Sequence, residues 1–443
     1  AAASRLDSID LLSVFGDQDI AAYIRSRAAG SIAVIGGLYF SQRSSIANLP
    51  QIILVELLSQ LLAKDYTYVV YHPCDEAGLS PDILKAVEKQ GFVNIAPKGA
   101  RPIFAVNMRS PVIVFKNVDT VIKHPLNKNR AVLAAVEKAH DKMLSMLTSI
   151  YPGELIISYN SGIMYHKIIN LIARINKVSP LPYAEKSYGR YMAVPFGKLL
   201  EGSAVPNTVT KSMHTEKYFY RDVSDFTIEE KSYYSTLENQ VRTIKSFNRP
   251  VILVDDLLHK GYRMNEIDPI LKSNDVEVVE TVVGVQTGRG RDLMTIKERT
   301  VDSAYFLPNL KCWIDESDMY PYIGGDSMKD AGVAVESQSV IPSLNLLLPF
   351  AVPTFLGNIS GQNLYDYSMT CLENARDILE TLEDEYQKEF EQKLTLKRLG
   401  EVIIDPKNPD IVSHIRPDEN TAPSDYVETD IEKLIRMRKM FKW

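Results

Sequence analysis

Cysteine is scarce in this chain, with three in 443 residues. Cys74, Cys312 and Cys371 are odd in number and far apart, so they imply neither a disulfide framework nor a clustered zinc site, and they point to a reducing, cytoplasmic home. Long apolar runs are lacking too. The longest candidate, residues 344–356, is too short to span a bilayer and is interrupted by Pro349 and Pro353. It reads as buried core or a partner groove, and no membrane partner is expected. An excess of basic charge is also absent: the formal net charge is −6, which argues against a general nucleic-acid coat while leaving room for a local basic loop to meet phosphate. The chain opens AAASRLDSID, without an initiator Met and without the charged-then-apolar plan of a secretory signal, as a fragment of a longer protein or a processed chain would. What remains is ordinary. With 45% hydrophobic and 24% charged residues the composition is that of a globular protein, and the length predicts two or three domains.

Apolar periodicity predicts a helix over residues 8–29, with Ile9, Leu12, Val14, Ile20, Ala21 and Ile24 recurring. A strand is expected at 31–40, then a helix at 51–63 opened by Pro50, a strand at 66–71, and a helix at 81–90 stopped by Gly91 before FVNIA. Residues 110–117 read as a further strand and 131–147 as a helix. A new unit is expected from Tyr151-Pro152-Gly153 onward: the strand LIISYN, a Ser161-Gly162 turn and a helix at 165–175. Residues 180–220, rich in Lys, Tyr, Gly and Pro, are long enough to suggest a functional excursion. A polar helix at 227–248 precedes a strand at 251–254, the acids Asp255 and Asp256, a loop at 257–263, a helix to Lys272 and a strand at 276–286. Strands separated by helices imply a parallel sheet, whose ligands bind beyond the carboxyl ends of the strands.

Further on, residues 313–326 are acidic and aromatic, with no assignable role. Residues 361–400 read as helical. Their stripe of Leu372, Ala375, Ile378, Leu379, Leu382 and Tyr386 fits packing on a neighbouring domain or on a second subunit, which would make a homo-oligomer. Residues 405–425 read as an extended linker, and a basic helix at 430–442 as a docking or dimer contact, with nucleic-acid contact the weaker alternative.

Arg249 to Arg263 reads RPVILVDDLLHKGYR, an apolar run ending in two carboxylates and a glycine turn. Within it, VILVDDLLHKGYR resembles the 5-phosphoribosyl 1-pyrophosphate motif of type I phosphoribosyltransferases. The resemblance implies that Asp255 and Asp256 reach the ribose hydroxyls, and that Lys260, Gly261, Tyr262 and Arg263 form the turn receiving the 5-phosphate. Hydroxyls match carboxylate acceptors, and successive backbone amides make an anion nest. Two positions depart from the family. His259 stands where it has a small residue or an acid, and Lys260, where it has Thr or Ser, supplies a cation in place of a hydroxyl. His259 is placed either as a proton acceptor for the incoming nucleophile or as a surface residue on a turn. The resemblance also puts Asn160, Ser161 and Gly162 in the pyrophosphate turn. It makes residues 197–220 a hood whose Lys198, Lys211, His214 and Lys217 close over the reacting centre, with Lys211 a catalytic candidate. Magnesium would accompany the donor, held by the donor's own oxygens and water, so no protein metal ligands are assigned. The turn at 286–291, QTGRGR, could present amides and guanidinium groups to a phosphate, a base or single-stranded nucleic acid, or serve structure alone.

In the amino-terminal unit, QRSSIAN entering a helix and ILKAVEKQGFVNI closing the unit resemble the cofactor half of the GCN5-related acetyltransferase fold. There, Gln42, Arg43, Ser44, Ser45 and Ile46 would hold a coenzyme A pyrophosphate, without the family's glycines. The chain as a whole resembles bacterial cytidyltransferase-related proteins of unassigned role, although it has no HxGH-type motif. The expectation is therefore a multidomain α/β protein. An acetyltransferase-like α/β domain spans 1–120, a parallel-sheet phosphoribosyltransferase-like domain 121–330, and a helical region with linker 331–443. The expected partner is a phosphoribosyl donor or nucleotide, with ribosyl phosphate transferred to a nitrogen nucleophile. The alternatives are a non-catalytic nucleotide sensor and an acyl-coenzyme A-dependent N-acyltransferase.

Overall fold

The computed structural model describes residues 2–5, 18–27, 30–40, 48–184, 187–220, 222–329, 340–409 and 418–440. The chain is mixed α/β and forms two compact units, one from residues 1–159 together with 310–443, the other from residues 160–309.

The first unit begins with β1 (Ala2–Arg5), antiparallel to β2 (Ser31–Ile35), which runs parallel to β3 (Tyr66–Tyr71). Helix α1 (Gln18–Arg27) buries Ile20, Ala21 and Ile24 against Ile32, Tyr68 and Val70. Residues 6–17, where the longer helix was expected, lie outside the described residues, as do Gln42, Arg43, Ser44, Ser45 and Ile46. The strand expected to run to residue 40 stops at Ile35, ahead of the pair Gly36-Gly37. Helix α2 (Leu49–Ala63) starts with Pro50 in its first turn, where the missing N–H leaves no bond unmade. Helix α3 (Pro81–Lys89) ends before Gly91. That residue has φ +84°, and a Cβ there would lie 2.0 Å from the Glu154 carbonyl oxygen, so both backbone conformation and space demand glycine. Next come β4 (Val93–Asn94) and the long β5 (Phe104–Lys116), whose first half is antiparallel to β3 and β4. Helix α4 (Arg130–Ile150) is capped by the Asn129 side chain, which accepts from the Ala131 and Val132 amides. Strand β6 (Glu154–Asn160) also pairs with β5.

The second unit opens with α5 (Ser161–Asn176), followed by β7 (Met192–Pro195), β8 (Val209–Thr210) and a hairpin of β9 (Thr215–Phe219) and β10 (Phe226–Glu230). Helix α6 (Leu237–Ser246), β11 (Val251–Leu258), α7 (Tyr262–Ser273), β12 (Val278–Thr287), α8 (Gly288–Ile296) and β13 (Val301–Leu307) complete it. The helix expected over 227–248 is thus two elements. Residues 226–230 alternate and pair with β9, and the helix starts only at Leu237, where the Thr236 hydroxyl accepts from the Asn239 amide. Five parallel strands lie in the order β13-β12-β11-β7-β8. The central β11 is apolar from Val251 to Val254 because both its faces are covered. On one face, Val251 and Leu253 pack with Leu237, Val241 and Ile244 of α6 and with Met264, Ile267 and Leu271 of α7. Helix α5 packs on β12 and β13, and Gly284 makes room for Met164, whose sulfur would sit 2.2 Å from a Cβ there.

Returning to the first unit, β14 (Cys312–Asp315) runs parallel to the second half of β5. A small sheet joins β15 (Asp326–Met328), β16 (Ile341–Leu344) and β17 (Lys407–Asn408), so part of the expected linker is paired backbone. Helix α9 (Gly361–Phe390) stops earlier than expected, at Glu391 in the left-handed conformation. Its stripe of Leu372, Ala375, Ile378, Leu379, Leu382 and Tyr386 is buried within this unit, against α4 and α10 (Pro423–Met440). Leu344, Leu347, Leu348 and Leu356 are buried as well. No helix among the described residues is long and apolar enough to cross a membrane.

Candidate functional site

The carboxyl end of β11 carries the two acids into the strand itself. Register with β12 continues through Asp255 opposite Val283, Leu257 opposite Val285 and Leu258 opposite Gln286, so the strand runs four residues beyond the apolar run. Both carboxyl groups converge on the Gly197 position, where a Cβ would lie 2.5 Å from Asp255 Oδ1 and 2.8 Å from Asp256 Cγ. Asp255 meets Arg263 of α7, with Nη1 3.1 Å from Oδ1, and its Oδ1 also accepts from the Asp256 amide at 2.9 Å. Asp256 Oδ1 accepts from the Leu199 amide at 3.0 Å. Both acids are buried, at 5% and 8% exposure, and burial pushes both carboxyls above their ordinary range while Arg263 opposes the shift. For Asp255 the adjoining Asp256 adds to the rise. Burial would weaken the Arg263 cation, but Asp255, Asp256 and Glu216 outweigh it and hold the proton more tightly.

After Leu258 the chain turns through His259, Lys260 and Gly261 into α7. Gly261 has φ +68°, so it precedes the helix in the left-handed conformation that glycine adopts without strain. Tyr262 and Arg263 are the helix's first residues, and its first backbone bond runs from the Asn265 amide to the Gly261 carbonyl. The intervening amides point out of the amino-terminal end. The four residues expected to form the phosphate turn are therefore adjacent, but Arg263 reaches back to Asp255. His259 Nδ1 lies 3.0 Å from the Thr287 hydroxyl, and burial, Lys260 and Arg289 lower its pKa, favouring the neutral ring near neutral pH. Thr287 caps α8, its oxygen accepting from the Gly290 amide at 3.1 Å. Gly290 and Gly288 sit where a Cβ would lie 2.2 Å from the Leu258 carbonyl oxygen and 2.5 Å from the Pro308 carbonyl oxygen. QTGRGR is thus a helix start packed tightly against the end of β11.

Asn160, Ser161 and Gly162 do not follow a strand of this sheet. Asn160 ends β6 and its side chain caps the Ile163 amide at 3.1 Å, while the buried Ser161 hydroxyl has no partner. On the side of β11 away from β12 lies β7, and the turn leaving its carboxyl end is residues 196–200. There the Gly197 position leaves no room for a side chain, since a Cβ would lie 2.5 Å from Asp255 Oδ1 and 2.8 Å from the Asp256 amide nitrogen. Sequence reasoning placed Gly197 and Lys198 in the hood and missed their place beside the acids. The available signal was the run AVPFGK, apolar residues closed by a glycine and a cation.

The remaining hood residues have structural partners. His214 Nδ1 lies 2.8 Å from Glu201 and its ring stacks on Tyr234 at 3.7 Å. Lys217 lies over Phe219 and Phe226, and Phe226 meets Tyr262 edge-on at 4.9 Å, so the hairpin rests on the first residue of α7. The Lys211 amide bonds to the Ala193 carbonyl at 3.1 Å, which puts this residue beside β7. No group of three or more His, Cys, Asp or Glu side chains among the described residues is arranged to hold a metal. Any magnesium would need most of its oxygens from a ligand and from water. The site thus combines two buried carboxylates, two helix amino-termini, a glycine turn and several cations at one edge of a parallel sheet, an arrangement able to bind a polyol that carries phosphates. The chain matches no known protein-family model and no curated protein.

Proposed function

We propose that residues 160–309 bind 5-phosphoribosyl 1-pyrophosphate or a nucleotide in the manner of type I phosphoribosyltransferases. The observation carrying this reading is the adjacent buried pair Asp255-Asp256, in the carboxyl-terminal half of the central strand and five residues before the glycine that precedes α7. In this reading the carboxylates accept from the ribose hydroxyls, and the 5-phosphate sits on the first amides of α7 beside Lys260. The pyrophosphate lies against the Gly197-Lys198 turn, the position beside the acids, in place of the Asn160–Gly162 turn expected from sequence. Magnesium arrives with the donor. His259, neutral near neutral pH, accepts the proton of a nitrogen nucleophile as ribosyl phosphate is transferred and pyrophosphate leaves.

The Arg263–Asp255 ion pair favours one further reading, a nucleotide-sensing module. A ligand's hydroxyl must compete with a guanidinium already seated on the carboxylate. Calorimetry with the donor and magnesium, on the wild-type chain and on Asp255→Asn/Asp256→Asn, tests binding. Heat from the wild type is expected, with affinity in the variant weakened by roughly 1.5–3 kcal/mol for each charged hydrogen bond lost; equal heats from both, or none from either, sink the proposal. Pyrophosphate release on adding candidate bases then separates transferase from sensor.

A further inference from the structure

A second chemically organised cluster lies in the other unit and is independent of the nucleotide reading. Glu316, directly after β14, is fully buried. Its Oε2 lies 2.7 Å from His140 Nδ1 on α4, and the other ring nitrogen, Nε2, lies 2.8 Å from the hydroxyl of Ser158 on β6. A carboxylate only accepts, so Nδ1 donates to Glu316; in the neutral ring Nε2 is then the acceptor that faces the Ser158 hydroxyl. The carboxylate is held from its other side by the Tyr320 hydroxyl, which donates to Oε1 at 2.8 Å. Asn374 in turn donates to Tyr320 at 3.2 Å and to the Ala139 carbonyl at 2.9 Å, in the turn of α4 that carries His140. The loop bearing Glu316 is fixed by Asn117, whose amide donates to Asp315 and whose carbonyl accepts from the Ser317 amide. Exposure rises outward along the chain of bonds: 0% at Glu316, 1% at His140 and 8% at Ser158. All three residues are buried, Glu316 most completely and Ser158 least.

We propose that Ser158, His140 and Glu316 form a nucleophilic acyl-transfer site for small activated acyl esters. Ser158 Oγ attacks the acyl carbon and forms the Oγ–C bond while its proton passes to His140 Nε2. The bond from the acyl carbon to the leaving oxygen breaks, and that oxygen takes the proton from Nε2. Water then attacks the acyl-serine, giving a proton to His140, which returns it to Ser158 as the acid departs. The sum is ester plus water giving acid plus alcohol, with no oxidant or further cofactor required. Glu316 is a positioning residue, because it acts through the imidazole. The slight exposure of Ser158 restricts the substrate to a short acyl group.

The test uses the full chain and a fluorophosphonate probe, with the adduct mapped by peptide mass spectrometry and folding followed by circular dichroism. A phosphonyl adduct on Ser158 is expected in the folded wild type and must vanish in Ser158→Ala. The labelling rate should fall roughly 100-fold or more in His140→Gln, the loss of a general base. Glu316→Gln should slow labelling, and Glu316→Asp should restore part of the rate, which a merely structural acid would not do. Absence of the adduct from the folded wild type overturns the proposal without recourse to any variant and leaves a structural hydrogen-bond network. A labelling rate unchanged in folded His140→Gln overturns it equally.

Discussion

Replacing Arg263 by Met keeps much of the side-chain length and removes the cation from the buried carboxylate pair. Arg263 lies 3.1 Å from Asp255, and their side chains are 24% and 6% exposed. Removing one partner from a fully buried ion pair costs about 3–5 kcal/mol, and the quarter exposure of Arg263 places this case near the lower end. At about 2–4 °C per kcal/mol for a domain of this size, the melting temperature should drop by about 6–12 °C above neutral pH. The loss should depend on pH. Asp255 and Asp256 already have raised folded-state pKa values, so the folded chain binds their protons more tightly than the unfolded chain. Their contribution favours folding at low pH and is lost as pH rises from the ordinary carboxylate range through the raised values. Without Arg263 both values rise further, which deepens the loss at high pH and leaves a smaller one at low pH, where protonation relieves the pair. Thermal unfolding at about pH 5 and pH 8 measures the difference. Asp255→Asn added to Arg263→Met should recover at least half of the loss at the higher pH. Equal losses at both pH values, or no recovery in the double variant, would refute the electrostatic account.

Gly197→Ala should weaken donor binding strongly while the fold survives. The new Cβ would meet the Asp255 carboxylate at 2.5 Å and force the turn away from both acids, at about 1–3 kcal/mol by analogy with overpacked cores; calorimetry and melting on the same sample check the two effects. Thr287→Ala removes the cap of α8 and the partner of His259, so stability should fall by about 1 kcal/mol, read by denaturant titration. An unchanged midpoint would show that the cap is replaced by water.

Elements signalled by neighbouring residues were legible. Pro50 at a helix start, Gly91 past a helix end and the run Tyr66–Tyr71 act over a few positions, and the backbone follows them. The end of β11 was not. Acids are poor strand formers, yet Asp255 to Leu258 stay extended because β12 supplies a register partner from residues almost thirty positions away. The four residues of β7 were invisible for a related reason. They lie within a stretch rich in Tyr, Lys, Gly and Pro, and their extended state comes from the ladder with β11. Asp255 and Asp256 could be chosen from sequence because carboxylates seldom follow an apolar strand without a use. For Gly197 the sequence offered only the short run AVPFGK, which does not show that a Cβ there would lie 2.5 Å from Asp255 Oδ1. Ser158, His140 and Glu316 share no local pattern, since spacings of 18 and 176 residues carry no periodic signal.

The long strand β5 binds partners made at very different times. Its first half pairs with β3 and β4, but its second half waits for β14, which leaves the ribosome only after all of residues 160–309. At synthesis rates of about 5–20 residues per second, that delay is on the order of ten to thirty seconds. During it the inserted unit, with its own parallel sheet complete, has time to fold. Residues 112–115 meanwhile hold out an open strand edge toward the place β14 will take.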